Sequence, residues 1–388
     1  MRRLAPLVLA LAACATTRTP AEQAEDDYRR SLASPDRQRA MAAIDQAIAG
    51  YPRAEYYAHR ARLNLSLQKP DAAAADFGAA IALYASDPFM VTQRAALLYD
   101  RARLQAAAGR RTEAESDLTE AVRIAPQYAE AFLERARLRR LSGRKADAER
   151  DVEQARKVGD SQADGFYNEG VRAISQGDAA EAERMIGFAL DLDPGHRRAH
   201  VAKARIHMER RQFEDAAREF DRAIPGQPED AGLYYHRASA LLAAGKPEDA
   251  LRDYEKAVEL SPREPSYYAA RGLARYRSGQ GYAAAQQDLT WAITLDADCF
   301  QAWFNRGVVE HEQKDLGAAE VAFRRANGIH TSPEGCVALG RVLGDREKYD
   351  LATDLYRQAL EIYKGPEVQK LLREEIDRVK AAREGKKP

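Results

Sequence analysis

YYHRASALLAAGKPEDALRDYEKAVELSP, residues Tyr234 to Pro262, decides the fold. Its apolar and small residues recur every three or four positions up to Leu242 and again from Ala250 to Leu260, with Gly245, Lys246 and Pro247 dividing the two runs. That spacing puts each set on one face of a helix, and the Gly-x-Pro break predicts a tight turn between two antiparallel helices. Antiparallel helices approach closely only where side chains are small, which accounts for Ala238 in the first run and Ala250 and Ala257 in the second. Tyr254, between those alanines, fills the space that they leave.

The pattern repeats. The small residue of the first helix recurs at Ala61, Ala102, Ala136, Gly170, Ala204, Ala238, Gly272, Gly307 and Gly340, in steps of 41, 34, 34, 34, 34, 34, 35 and 33. An alanine such as Ala73, Ala148 or Ala352 follows each of them, then a bulky residue such as Phe77, Val152 or Tyr356, then a third alanine. A divergent unit precedes these, with Tyr28 at the small position but Ala40, Ile44, Ala47 and Pro52 in place. The chain therefore carries about ten units.

These recurring positions resemble the tetratricopeptide repeat family. The resemblance implies an all-α fold, a right-handed superhelical solenoid of about ten helix-turn-helix units ended by a capping helix. The units fall near 21–53, 54–87, 88–128, 129–162, 163–196, 197–230, 231–264, 265–299, 300–332 and 333–364, followed by a cap over 365–384 and a tail over 385–388. In the cap, Val368, Leu371, Leu372, Ile376 and Val379 form an apolar stripe expected to lie opposite Glu375, Arg378 and Lys380. Departures from the period carry information too. The step of 41 adds seven residues around Asp87 to Arg94, two helical turns that would lengthen one first helix from Pro88. Glycine is missing from the turn in four units, where Gln68, Arg211, Lys314 and Glu347 stand instead. ARKVGDSQ, ending at Gln162, lacks the usual proline and is a candidate break, although the surviving period favours a continuous stack.

Such a stack offers a concave surface lined by first helices. One residue past the small position, arginine stands at Arg62, Arg103, Arg137 and Arg205, so the inner surface is expected to be basic toward the N-terminal half. Arg137, Asn168 and Arg205, with Tyr167 beside them, resemble the family's clamp for a terminal carboxylate, which implies a peptide ligand. The lysine one turn earlier in that clamp is replaced by Leu133 and Val201. The alternative is that these arginines pair with Asp100, Glu134 and Glu169, and that Tyr99, Tyr167 and Tyr235 serve the core.

The N-terminus adds an address. Arg2 and Arg3 precede ten uncharged residues, Leu4 to Ala13, too few for a bilayer span but the length of a signal peptide's apolar region. Leu11-Ala12-Ala13-Cys14 resembles the lipobox of bacterial lipoproteins, which implies cleavage of residues 1–13, lipid on Cys14 and a tether over 14–20. Ala15 after the cysteine implies the outer membrane, with the chain facing the periplasm; a soluble secreted or periplasmic form is the alternative.

Sixty basic and sixty acidic residues cancel, which leaves no electrostatic case for a nucleic-acid partner. No catalytic constellation, phosphate loop or cofactor motif is read from the sequence. His196 and His200 have the spacing of metal ligands, but the first falls in a turn and the second takes a core position, so no metal is expected. Cys299 and Cys336 are expected as buried free thiols, with a bridge between them the other option. Function is thus expected to be protein or peptide binding by an anchored scaffold or adaptor in envelope, pilus or secretion-channel assembly. A cell-wall glycan-binding lipoprotein is the alternative, and an enzyme with an unrecognised site the remote one.

Overall fold

The computed structural model describes residues 18–159 and 162–385; Cys14 and the lipobox lie outside the described residues. Every regular element among them is helical. The helices run as pairs: α1 (Pro20–Ala33) with α2 (Arg37–Gly50), α3 (Ala54–Ser66) with α4 (Pro70–Tyr84), α5 (Val91–Ala107) with α6 (Arg111–Ile124), and α7 (Ala129–Leu141) with α8 (Lys145–Val158). Then come α9 (Ala163–Ser175) with α10 (Ala179–Leu192), α11 (Arg197–Glu209) with α12 (Phe213–Ala223), and α13 (Ala231–Ala243) with α14 (Pro247–Leu260). The last pairs are α15 (Pro265–Arg277) with α16 (Tyr282–Leu295), α17 (Phe300–Glu312) with α18 (Leu316–Ile329), and α19 (Pro333–Asp345) with α20 (Tyr349–Ile362), before the single helix α21 (Pro366–Arg383). This is the all-α solenoid class expected from the repeats. Two compact units are formed, the first from the described residues up to Glu169 with Gly187–Pro194, the second from Gly170–Ile186 and Gly195 onward.

The small-against-large rule holds at atomic level. Ala61, Ala102, Ala136, Ala204 and Ala238 are fully buried, as are Leu118, Ile186 and Leu289 among the bulky partners. A Cβ on Gly307 would stand 2.7 Å from the Phe323 ring, and one on Gly340 would run into Tyr356. Glycine is therefore required there for close approach. Helix starts use side-chain caps: Thr19 and Glu22 form a capping box on α1, and Asp36, Asp230 and Ser332 accept from amides of the following turn.

In nine of the ten pairs the turn ends its first helix in a left-handed residue; the first pair, turning through Ser34 at φ −80°, does not. Gly109, Gly143, Gly177, Gly245 and Gly279 have φ of 75–79°, and Gln68, Arg211, Lys314 and Glu347 adopt the same conformation with φ of 58–65°. The hydrogen bonds explain why. Lys246 N donates to Leu241 O at 2.9 Å and Gly245 N to Leu242 O at 3.1 Å; at Glu347 the same two bonds run from Lys348 to Leu343 and from Glu347 to Gly344. This crossed pair closes a helix only when the residue after the cap is left-handed, whatever its side chain.

The seven-residue insertion is resolved differently from the expected two α-turns. Pro88–Met90 forms a 3-10 turn capped by Asp87, whose Oδ1 accepts from Phe89 N at 2.9 Å, and α5 then runs 17 residues against 13 in most first helices. The cap also corrects the expected stripe. Leu372, Ile376 and Val379 are buried against Val342 and Leu343, but Leu371 is exposed and Glu375 is only 2% exposed. Positions 372, 375 and 379 share one face, and Glu375 can enter it because Arg341 Nη2 donates to its carboxylate at 2.6 Å and Arg378 at 3.1 Å. Cys299 and Cys336 are buried free thiols, each raised in pKa chiefly by burial.

Candidate binding face of the first helices

Most arginines of the first helices are structural. The residue just before the small position reaches the acid just before the bulky residue of the same unit. Arg60 meets Asp76 at 2.6 Å, Arg101 meets Asp117 at 2.6 Å and Arg135 meets Asp151 at 2.7 Å in the first compact unit. In the second, Arg237 meets Asp253 at 2.6 Å and Arg271 meets Asp288 at 2.7 Å. Lys203 takes the position with Glu219 at 2.9 Å, joined by His200 Nδ1 at 2.7 Å. Both carboxylate oxygens are engaged in the arginine pairs, the geometry in which a buried ion pair repays its desolvation. Several guanidiniums also tie one unit to the preceding one, as Arg60 to Asp45 at 2.8 Å and Arg237 to Asp221 at 2.5 Å. These groups are committed to the fold and are not open to a ligand. The ladder was missed in the sequence because its members lie sixteen residues apart across a turn, or seventeen at Arg271 and Asp288, though both hold a constant offset from the repeat positions.

The arginines one residue past the small position differ in their partners: Arg341 is held by Glu375 of the cap at 2.6 Å, and for others the residue three positions earlier, which lies on the same helix face, is what they meet. Arg137 has Glu134, a buried carboxylate to which it donates from Nη2 at 2.5 Å and Nε at 3.0 Å. Arg103 has Asp100, which Arg62 also approaches at 4.0 Å, and its guanidinium lies 5.9 Å from the centre of the Tyr99 ring. Burial pushes the Asp100 carboxyl above the ordinary range, while Arg62 and Arg103 pull it down. The basic inner surface read from the arginines alone is thus offset at Arg103 and Arg137 by acids three residues back, whereas Arg62 has His59 there and is exposed. Tyr167 there is half-buried and Asn168 exposed.

Arg205, in the second compact unit, has Ala202 at that position. It is exposed and, among the described residues, has no ion-pair partner. Around it the next first helices supply aromatics. His236 stacks on Phe220 with centroids 5.7 Å apart and meets Tyr235 edge-on at 5.3 Å, and Tyr235 stacks on Tyr267 at 4.9 Å. Burial and then the charge of Arg205 hold the His236 imidazole below its ordinary pKa. The patch therefore joins an uncompensated guanidinium, a histidine that an arriving anion would help to protonate, and a flat aromatic surface. His236 and Tyr267 were not singled out by the sequence; the signal was the alanine at 202 together with a histidine at the matching position, 236.

Catalytic geometry is a poorer fit. Ser31 Oγ contacts His59 Nε2 at 3.0 Å, but the hydroxyl donates to Ala40 O at 2.7 Å, so it receives the histidine's hydrogen and is not activated. His196 Nδ1 caps α11 by accepting from Ala199 N at 3.1 Å, and His200 turns to Glu219. The described residues contain no group of three His, Cys, Asp or Glu side chains that could hold a metal ion.

The model of the tetratricopeptide repeat family matches residues 99–162, 167–232, 201–265, 235–280 and 269–330, together more than half of the chain. No curated protein matches the sequence. Among solved structures, PilW, described as a widely conserved type IV pilus biogenesis factor, is 17% identical, with 55% of this chain and 99% of its own covered at a TM-score of 0.45. PilF of Pseudomonas aeruginosa is 18% identical, with 56% and 99% covered at 0.41. Yeast Tom70 is 13% identical, with 94% and 95% covered at 0.39.

Proposed function

The chain belongs to the tetratricopeptide repeat family, and from that premise we propose that it is a lipid-anchored scaffold that holds a peptide segment of an envelope protein on the first-helix face around Arg205. The observation that carries this reading is the exposed Arg205, with no ion-pair partner among the described residues, set beside His236 and the Tyr235–Tyr267 stack. A carboxylate, at a peptide's C-terminus or on an acidic side chain, gains a two-pronged hydrogen bond from a guanidinium that gives up no existing partner. The stacked tyrosines give neighbouring residues of the peptide a rigid amphipathic surface. Repeat arrays place such patches on fixed helices, so little ordering accompanies binding.

Anchoring is assigned to Cys14. Each lipid methylene contributes about 0.8 kcal/mol, and more than one chain is needed for stable attachment. Three chains, as bacterial lipoproteins carry, suffice. Ala15 favours the outer membrane with the array in the periplasm, where an adaptor in envelope, pilus or secretion-channel assembly would act.

Two substitutions test the two halves separately. Arg205→Glu is expected to weaken a carboxylate-terminated peptide of the cross-linked partner at least tenfold by calorimetry, with unchanged thermal midpoint; unchanged affinity would remove the site. Cys14→Ala is expected to release the protein into the soluble fraction with full helical content. Retention in the membrane fraction would remove the anchor.

A further inference from the structure

The second helices of the second compact unit share one exposed stripe, and in one of them it is chemically different. On α14 the stripe reads Glu248, Arg252, Glu255, Lys256 and Glu259, and on α12 it reads Glu214, Arg218, Asp221 and Arg222. The matching positions of α16 are Ala283, Gln287, Thr290, Trp291 and Thr294, with no charge among them. Helix α18 returns to charge at Arg324 and Arg325. An uncharged stripe is not needed for packing, because these side chains face solvent.

Trp291 is 50% exposed, a large apolar surface to leave in water. Its ring meets Tyr268 of α15 edge-on at 6.4 Å, and the two form one wall of a groove of about 730 Å³. Charged groups also line it, but they are largely buried and turned toward one another: Arg271, 14% exposed, holds both oxygens of Asp288 at 2.7 and 2.8 Å, and Arg275, 20% exposed, adds a contact at 3.1 Å. What remains to meet a ligand is one indole face, the Gln287 amide and the hydroxyl oxygens of Thr290 and Thr294. Thr294 donates to Thr290 O at 2.9 Å and so offers its lone pairs.

We propose that this groove binds an uncharged saccharide. A sugar ring presents C–H bonds on its flat face, which an indole covers, and hydroxyls at its rim that both donate and accept. An amide and hydroxyls answer both roles, whereas a lining of free charges would select an ion. A proline-rich peptide would also use an exposed indole, but it needs a succession of aromatic ridges and only donors. The groove has two aromatic rings and is rich in acceptors. It involves none of the Arg205 patch, so either site stands if the other fails.

The chain has two tryptophans, and Trp303→Phe leaves Trp291 as the sole indole reporter. In that protein, one of chitotetraose, cellotetraose or maltotetraose is expected to give a saturable fluorescence change at concentrations up to about 10 mM. By calorimetry on the otherwise unaltered chain, Trp291→Ala is expected to lower that affinity about tenfold or more, and Gln287→Ala less. Trp291 is half in solvent, so its loss leaves the helical signal intact, and Arg205→Glu leaves sugar binding unchanged. Three outcomes overturn the proposal: no saturable change with any of the three sugars, sugar binding that survives Trp291→Ala, or saturable binding of a proline-rich decapeptide at Trp291 where the sugars fail.

Discussion

Replacing Gln68, Arg211, Lys314 and Glu347 together by glycine should stabilise the protein without touching its packing. All four side chains are exposed, none has an ion-pair partner among the described residues, and all four backbones are left-handed. A side chain in that conformation costs roughly 1–2 kcal/mol. Glycine removes the cost but adds about 0.5–1 kcal/mol of chain entropy to the unfolded state, so the net gain is about 0.5–1 kcal/mol per site and roughly 2–4 kcal/mol for four. The reverse change isolates the same effect. A Cβ at Gly109, Gly143 or Gly245 would have no atom within 4 Å, so alanine there should lose about 1 kcal/mol through the backbone alone. Urea unfolding followed by far-ultraviolet circular dichroism measures both series. Since stability in a repeat array is the sum of local terms, hydrogen exchange in α3 and α4 should slow with Gln68→Gly alone. A quadruple variant that unfolds at the same or lower urea, or a Gly143→Ala protein as stable as its parent, would refute the reasoning.

Asp151→Ala should cost about 3–5 kcal/mol, because it leaves Arg135 and Arg139 facing a site whose carboxylate is 3% exposed; a loss under about 1 kcal/mol in the same urea assay would make the ladder incidental. Gly340→Ala should cost about 1–3 kcal/mol through the Tyr356 ring, and a neutral result would mean that the pair can separate freely. Glu219 gives a pH signature. Burial would raise its carboxyl, but hydrogen bonds from His200 and Lys203 outweigh burial and bring it to about 2. Its folded pKa therefore lies below the unfolded value, so its contribution is present above about pH 4.5 and lost as pH falls toward 2, up to roughly 3 kcal/mol. Glu219→Gln should flatten stability across that window, and an unchanged acid limb would assign the loss to other groups.

The sequence made the frame legible because close helix packing restricts side-chain size: Ala61, Gly307 and Phe323 could be named from periodicity alone, and they sit where that periodicity put them. Four turns were harder. Their conformation is imposed by backbone hydrogen bonds of the helix end, which Glu347 meets as Gly245 does, so residue identity there is a poor guide. Charges were the least legible. Glu375 was assigned to water because it is charged, yet Arg341 and Arg378 draw it into the cap. Arg137 and Arg205 look alike in a list of matching positions, and the residue three places back, Glu134 in one case and Ala202 in the other, separates these two; Arg341, with Ala338 there, is held instead by Glu375 from the cap. Trp291 carried no periodic signal, since it stands out only against the charged stripe of the neighbouring units.

Site-specific photo-cross-linking in intact cells tests the central claim most directly, with the reactive group placed in turn at Tyr267 on the first-helix face and at Glu255 on the exposed side of α14. The account predicts a discrete protein adduct from position 267 that disappears with Arg205→Glu, and none from 255. An adduct from 255 alone, or one from 267 that ignores Arg205, would contradict it.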